Sequence, residues 1–168
     1  MTDPLTAYLG HYAPSIVDAV RALAEAGELG AAVQKRYPAP AEVTTDPALH
    51  AYVMDLKQRF LKRSAPLAKV CFDDKATTLH RALGLHSFVS RVQGSRLKSK
   101  HELRVSSLFK QTPPEFLRMV VVHELAHLRE REHNKAFYQL CCHMEPSYHQ
   151  LELDLRLYLA ARDLGQLT

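Results

Sequence analysis

Apolar residues recur at helical spacing through the first third of the chain. Ile16, Val20, Leu23 and Ala24, with Leu29 further on, share one side of a helix predicted over Ser15 to Gln34, with Pro14 near its start. Tyr37-Pro38-Ala39-Pro40 breaks that pattern. Asp46 is expected to cap a second helix, with Pro47 in its first turn. Leu49, Tyr52, Val53, Leu56 and Phe60 carry it to about Leu61, and Pro66 closes it. Residues 1–66 thus read as an N-terminal helical segment that serves as scaffold. Its histidines, His11 and His50, read as surface groups.

The period then changes. Leu67 to Phe72 reads as a short strand, followed by a turn at Asp73-Asp74-Lys75. His86 to Val92 is a second strand candidate, and Gln93-Gly94-Ser95 marks a turn. In His101 to Leu108, Leu103 and Val105 alternate with Glu102 and Arg104, the pattern of a half-exposed strand. Ala76 to Gly84 fits neither period. Together these segments predict a small antiparallel sheet.

An unbroken apolar run, Phe116 to Val122, follows and reads as a buried helix. Thr112 is expected at its N-cap, Pro113 at its first position, and Glu115 closing a capping box. Asn134 is placed to cap a further helix from Lys135 to about Met144, with Phe137, Leu140, Cys141 and Met144 on one face. Leu151, Leu153, Leu155, Leu157 and Leu159 alternate as a strand would. Leu151, Leu155 and Leu159 also fit one helix face, and the surrounding Glu, Arg and Ala favour helix. The fold class is α+β: helices on a small sheet, one compact domain overall, with 67–168 as the functional region.

Composition narrows the classes. With 168 residues, 46% hydrophobic and 24% charged, the chain suits one soluble globular domain. No apolar run approaches the ~20 residues of a membrane span. Met1-Thr2-Asp3-Pro4 does not begin a signal peptide. Cys71, Cys141 and Cys142 make an odd number without a C-x-x-C pair, which points to reduced thiols and a cytoplasmic location. The net charge of +4 is mild. Arg91, Arg96, Lys98, Lys100, Arg104 and Lys110 concentrate part of the positive charge. With only Phe109 among them as an aromatic, they read as a solvated edge rather than a nucleic-acid surface.

The chemistry lies in Val120 to His133. His123 and His127 are four residues apart, so on a helix they lie about 40° apart around the axis and one turn apart along it. Two imidazoles so placed can share one metal ion. Glu124 cannot reach the same coordination position but can lean over a metal-bound water. This is the H-E-x-x-H arrangement of two zinc ligands and a general base. Zinc brings the pKa of its water toward ~7, where a carboxylate can take the proton. Arg129 to Glu132 can end the helix, and a chain reversing there could return His133 as a third ligand, leaving one position open. Glu145 and Glu152 are the alternatives for that third place.

From Ser90 to Tyr148 the chain resembles the YgjP-like family of predicted metal-dependent hydrolases, within the zincin metallopeptidases. The resemblance rests on Arg91 with Gly94-Ser95, Pro113-Pro114-Glu115, Val121-Val122-His123-Glu124-Leu125-Ala126-His127-Leu128, His133 with Phe137-Tyr138, and Pro146-Ser147-Tyr148. It departs from the family pattern in lacking the Trp and Cys near Gly94-Ser95 and in having Asn134 after the third His. The resemblance implies a zincin-like domain, and in zincins an edge strand can hold an extended peptide. Members of the family have also been linked to hydrolysis of nucleotide pyrophosphates.

The expected function is that of a zinc-dependent hydrolase, foremost a metallopeptidase, with Zn2+ on His123, His127 and His133 and Glu124 as catalytic base. Its partner is then a peptide or protein substrate, with nucleic acid disfavoured and no membrane. Two alternatives stay open: a metal-dependent nucleotide pyrophosphate hydrolase, and a metal-stabilised interaction module without activity. Tyr138, Tyr148, His143 and Arg91 are candidates to stabilise an oxyanion. The oligomeric state is not legible.

Overall fold

A computed structural model of the chain describes residues 3–74 and 101–168. The strand expected at 86–92, the ambiguous segment 76–84 and the cations Arg91, Arg96, Lys98 and Lys100 lie outside the described residues. Among the described residues, no helix is long and apolar enough to cross a membrane.

The chain divides into two compact units, Met1–Ala39 with His149–Thr168, and Pro40–Tyr148. The first contains helices α1 (Pro4–Leu9), α2 (Pro14–Glu25), α3 (Leu29–Arg36) and the body of the last helix, α7 (Tyr148–Asp163). The single helix expected over 15–34 is two. Gly27, at φ 73°, turns the backbone out of the helix, a conformation costly to side chains with a Cβ. Gln166 serves both ends of the break. Its amide donates to the Ala24 carbonyl at 2.9 Å, and its side-chain oxygen accepts from Leu29 N–H at 3.1 Å. In α7 the helical stripe prevails over the alternation: Leu151, Leu155 and Leu159 are buried, whereas Leu153 and Leu157 are half-buried.

The second unit contains α4 (Asp46–Phe60), β1 (Leu67–Asp73), β2 (His101–Ser106), a 3-10 turn over Ser107–Lys110, α5 (Pro114–Ala126) and α6 (Lys135–Met144). Thr45, not Asp46, caps α4: its side chain accepts from Ala48 N–H at 3.3 Å. Asp46 instead accepts from Phe72 N–H at 2.9 Å, fastening α4 to β1.

β1 and β2 pair in parallel, with Val70 opposite Leu103 and Phe72 opposite Val105. The antiparallel expectation is corrected here. Alternation reports which face is buried, not strand direction, and residues 74–100 between the strands exceed the dozen or so that a parallel crossover needs. The α+β class itself holds.

Helix α5 is buried on nearly every side. Phe116, Leu117, Met119, Val120, Val121, Val122, Leu125 and Ala126 are all in the core. Its start differs from the expected capping box. The helix begins at Pro114, with Pro113 in the cap position and no side-chain cap. Pro114 has no N–H to offer Thr112, whose hydroxyl donates to the Pro113 carbonyl at 3.3 Å. Glu115 leaves one carboxylate oxygen buried without a hydrogen bond among the described residues.

Candidate metal centre

His123 lies in the last turn of α5 and is 2% exposed. His127 is the residue that ends the helix, at φ −66° and ψ −13°. The chain then turns back through Arg129 to Glu132. At Asn134, whose side chain accepts from Phe137 N–H at 2.9 Å, it enters α6. That return brings His133 to the first two histidines, as the sequence predicted.

The three Nε2 atoms form a nearly equilateral triangle: 3.2 Å from His123 to His127, 3.1 Å from His127 to His133 and 3.3 Å from His133 to His123. An ion about 2.0–2.1 Å from each of three nitrogens in a tetrahedral arrangement sets them about 3.3 Å apart. A facial octahedral set with longer bonds gives a similar triangle, so the geometry suits a divalent transition ion without choosing one.

The donor chemistry agrees. His127 Nδ1 lies 3.0 Å from the Glu130 carbonyl. A carbonyl only accepts, so Nδ1 carries the proton and Nε2 presents its lone pair to the triangle. Lone pairs converging at this distance repel unless a cation lies among them. Phe137 backs the cluster, its ring centroid 4.9, 4.6 and 5.0 Å from those of His123, His127 and His133. His123 Nδ1 meets the hydroxyl of Tyr148, itself fully buried, at 2.8 Å.

Among the described residues, no Cys, Asp or Glu joins the three histidines. Glu145, an alternative third ligand, pairs with Arg118 at 2.8 Å and accepts from Ser147 N–H at 2.8 Å. Glu152 pairs with Arg156 at 3.2 Å. Glu124 is half-buried directly after His123, in the last turn of α5.

Of the candidate oxyanion groups, Tyr148 is engaged with His123. His143 is exposed and lies edge-on to Phe60 at 5.6 Å. Tyr138 is half-buried, with its ring 6.4 Å from that of His133. Arg91 lies outside the described residues. The contact of Tyr148 with His123 differs from the oxyanion role expected for it. The sequence singles out Tyr148 through Pro146-Ser147-Tyr148, but no local spacing points it to His123, 25 residues earlier.

The model of the YgjP-like metallopeptidase domain matches residues 72–158, more than half of the chain. The chain belongs to the YgjP-like family. This is a family of metal-dependent hydrolases, and the three-histidine cluster lies within the matched span. Among curated proteins, the UTP pyrophosphatase of Escherichia coli (strain K12) is 55% identical over 159 residues, covering 95% of each chain. No solved structure shows a significant match.

Proposed function

We propose that this YgjP-like chain is a zinc-dependent nucleoside triphosphate pyrophosphatase that converts UTP and water to UMP and pyrophosphate. The observation that carries the reading is the 55% identity, across almost the whole length of both chains, to a UTP pyrophosphatase. The converging Nε2 atoms of His123, His127 and His133 support a metal-assisted mechanism.

His123, His127 and His133 hold the ion through Nε2, which the Nδ1–H tautomer of His127 leaves free. When bound, zinc supplies a Lewis acid and an acidified water. Glu124 takes the proton from the attacking water. The water oxygen bonds to the α-phosphorus as the bridging oxygen leaves with pyrophosphate. Proton removal by a placed carboxylate contributes typically ~10²–10⁴ in rate. The free thiols of Cys71, Cys141 and Cys142 suit a reducing cytoplasm, where nucleotides are found.

A metallopeptidase is the second reading, favoured by the description of the matching domain. It uses the same ligands and the same base on a peptide carbonyl. One experiment separates the two. Zinc-loaded protein is given UTP and, separately, a casein-like peptide mixture, and products are quantified. UMP and pyrophosphate in equal amounts, with intact peptides, is the expected result. Peptide cleavage without UTP turnover would establish the second reading. Metal analysis of His123→Ala and His133→Ala accompanies it, and wild-type zinc content in either variant would remove that residue from the ligand set.

A further inference from the structure

Each of two histidines in the cluster has a partner on its far nitrogen, and the partners differ in kind. His127 ends α5, where the chain turns, and the Glu130 carbonyl is within reach of its Nδ1. His123 lies within the helix, where nearby carbonyls are already taken by the i to i−4 ladder. A hydrogen bond to its Nδ1 must therefore come from another part of the chain. It comes from the Tyr148 hydroxyl, 25 residues on, at 2.8 Å. The two rings are nearly parallel, at 17°. His123 is 2% exposed and Tyr148 fully buried, so bulk water does not readily substitute for the hydroxyl.

The turn that carries Tyr148 is tied to the same helix as His123. Arg118 of α5 pairs with Glu145 through Nε at 2.8 Å and donates from Nη2 to the Met144 carbonyl at 3.1 Å. The Glu145 carboxylate accepts from Ser147 N–H at 2.8 Å, and its carbonyl accepts from Tyr148 N–H at 2.9 Å. Tyr148 is thus located at both ends: its backbone through Glu145 to Arg118, and its hydroxyl on His123.

We infer that Tyr148 is a positioning residue that holds the His123 imidazole as its Nδ1–H tautomer, turned with Nε2 toward His127 and His133, and so sets the metal affinity of the cluster. The inference rests on the proposed reading that these three histidines hold an ion. The physical cause is preorganisation. An imidazole free to rotate, or carrying its proton on Nε2, must be turned or deprotonated before it can coordinate. Partners of this kind on metal-binding histidines typically change affinity by ~10–100-fold.

The test compares wild type, Tyr148→Phe and, as a control, Tyr138→Phe, each stripped of metal and titrated with zinc against a chelating dye. Tyr148→Phe keeps the buried ring and is expected to bind zinc ~10–100-fold more weakly. Tyr138→Phe should match wild type. The denaturation midpoint of metal-free Tyr148→Phe should fall, because its His123 Nδ1 is left buried without the hydroxyl, while the fold is kept; the visible spectrum of its cobalt complex should shift.

Should Tyr148→Phe fail to fold, imidazole nitrogen spectra of metal-free wild type decide the matter. A protected proton on His123 Nδ1 supports the inference, and a proton on Nε2 overturns it. Equal zinc affinity in wild type and Tyr148→Phe overturns it while leaving the ligand set intact. A wild type that binds no zinc overturns both.

Discussion

Under the proposed reading, Glu124 and the residue before it divide the work at the candidate centre. His123 is locked in the core, and Glu124, half-buried, flanks it. Gln at position 124 is nearly isosteric and still hydrogen-bonds water, but it accepts no proton. Glu124→Gln should therefore retain zinc and fold while losing ~10²–10⁴ in kcat. Steady-state UTP hydrolysis by the zinc-replete variant checks this, and an unchanged kcat would assign the base elsewhere.

A second prediction at the residue scale concerns Tyr8. Burial, then the 2.7 Å hydrogen bond to Asp163, pushes its hydroxyl from 10.0 up to about 12. In the unfolded chain the hydroxyl ionises near pH 10, while in the folded chain it keeps its proton until about pH 12. The folded state thus binds more protons in that window, and stability falls as pH rises through it. The contribution is complete below pH 10 and lost near pH 12. Tyr8→Phe should flatten this part of a denaturation profile measured against pH, while half-buried Tyr12, Tyr52 and Tyr158, whose hydroxyls burial also pushes up, keep some slope.

Among the elements, the break between α2 and α3 shows where periodicity misleads. Gly27 and Gly30 look alike in the sequence and act differently. Gly27 supplies the left-handed backbone of the break. Gly30 is inside α3, where replacing Gly with Ala ordinarily stabilises a helix by ~1 kcal/mol. A Cβ at Gly30, however, would lie 1.9 Å from the Gln166 carbonyl oxygen. Gly30→Ala should therefore destabilise, by ~1–3 kcal/mol, the usual cost of forcing atoms into a packed site. Urea denaturation gives the sign directly, and a stabilised variant would mean that the C-terminal residues yield without cost.

The same elements show what was legible. The helix at Lys135–Met144, its Asn134 cap and the return of His133 follow from local signals, and each is found. Local signals fail where a distant residue decides. The parallel pairing of β1 with β2 is set by strands far apart in sequence, and the Asp46 carboxylate leaves the cap to bond Phe72. The partner of His123 lies 25 residues away, beyond any helical spacing.

On the scale of the whole molecule, the net charge of +4 meets a polyanionic substrate under the proposed reading. The cations between 91 and 110, first read as a solvated edge, then divide. Arg104 is held by Glu102 at 3.0 Å and Asp73 at 3.5 Å, and Lys110 lies 5.2 Å over the Phe72 ring. Lys98 and Lys100 lie outside the described residues. The Lys98→Ala, Lys100→Ala double variant should raise KM for UTP several-fold, and added salt should reduce the difference from wild type by screening. Arg104→Ala alone should change KM little, since its guanidinium is already engaged by carboxylates. Equal KM in the double variant and wild type would return those lysines to the solvated edge.

The three histidines are graded in exposure: His123 buried, His127 half-buried, His133 exposed. Under the proposed ligand set, that grading separates how tightly an ion is held from how quickly it is exchanged. Tight holding belongs to the inner end, where His123 is clasped by Tyr148. Traffic belongs to the outer end, because a chelator or a metal-donating protein can approach His133 directly. His133 would then be the ligand that a competing chelator reaches first.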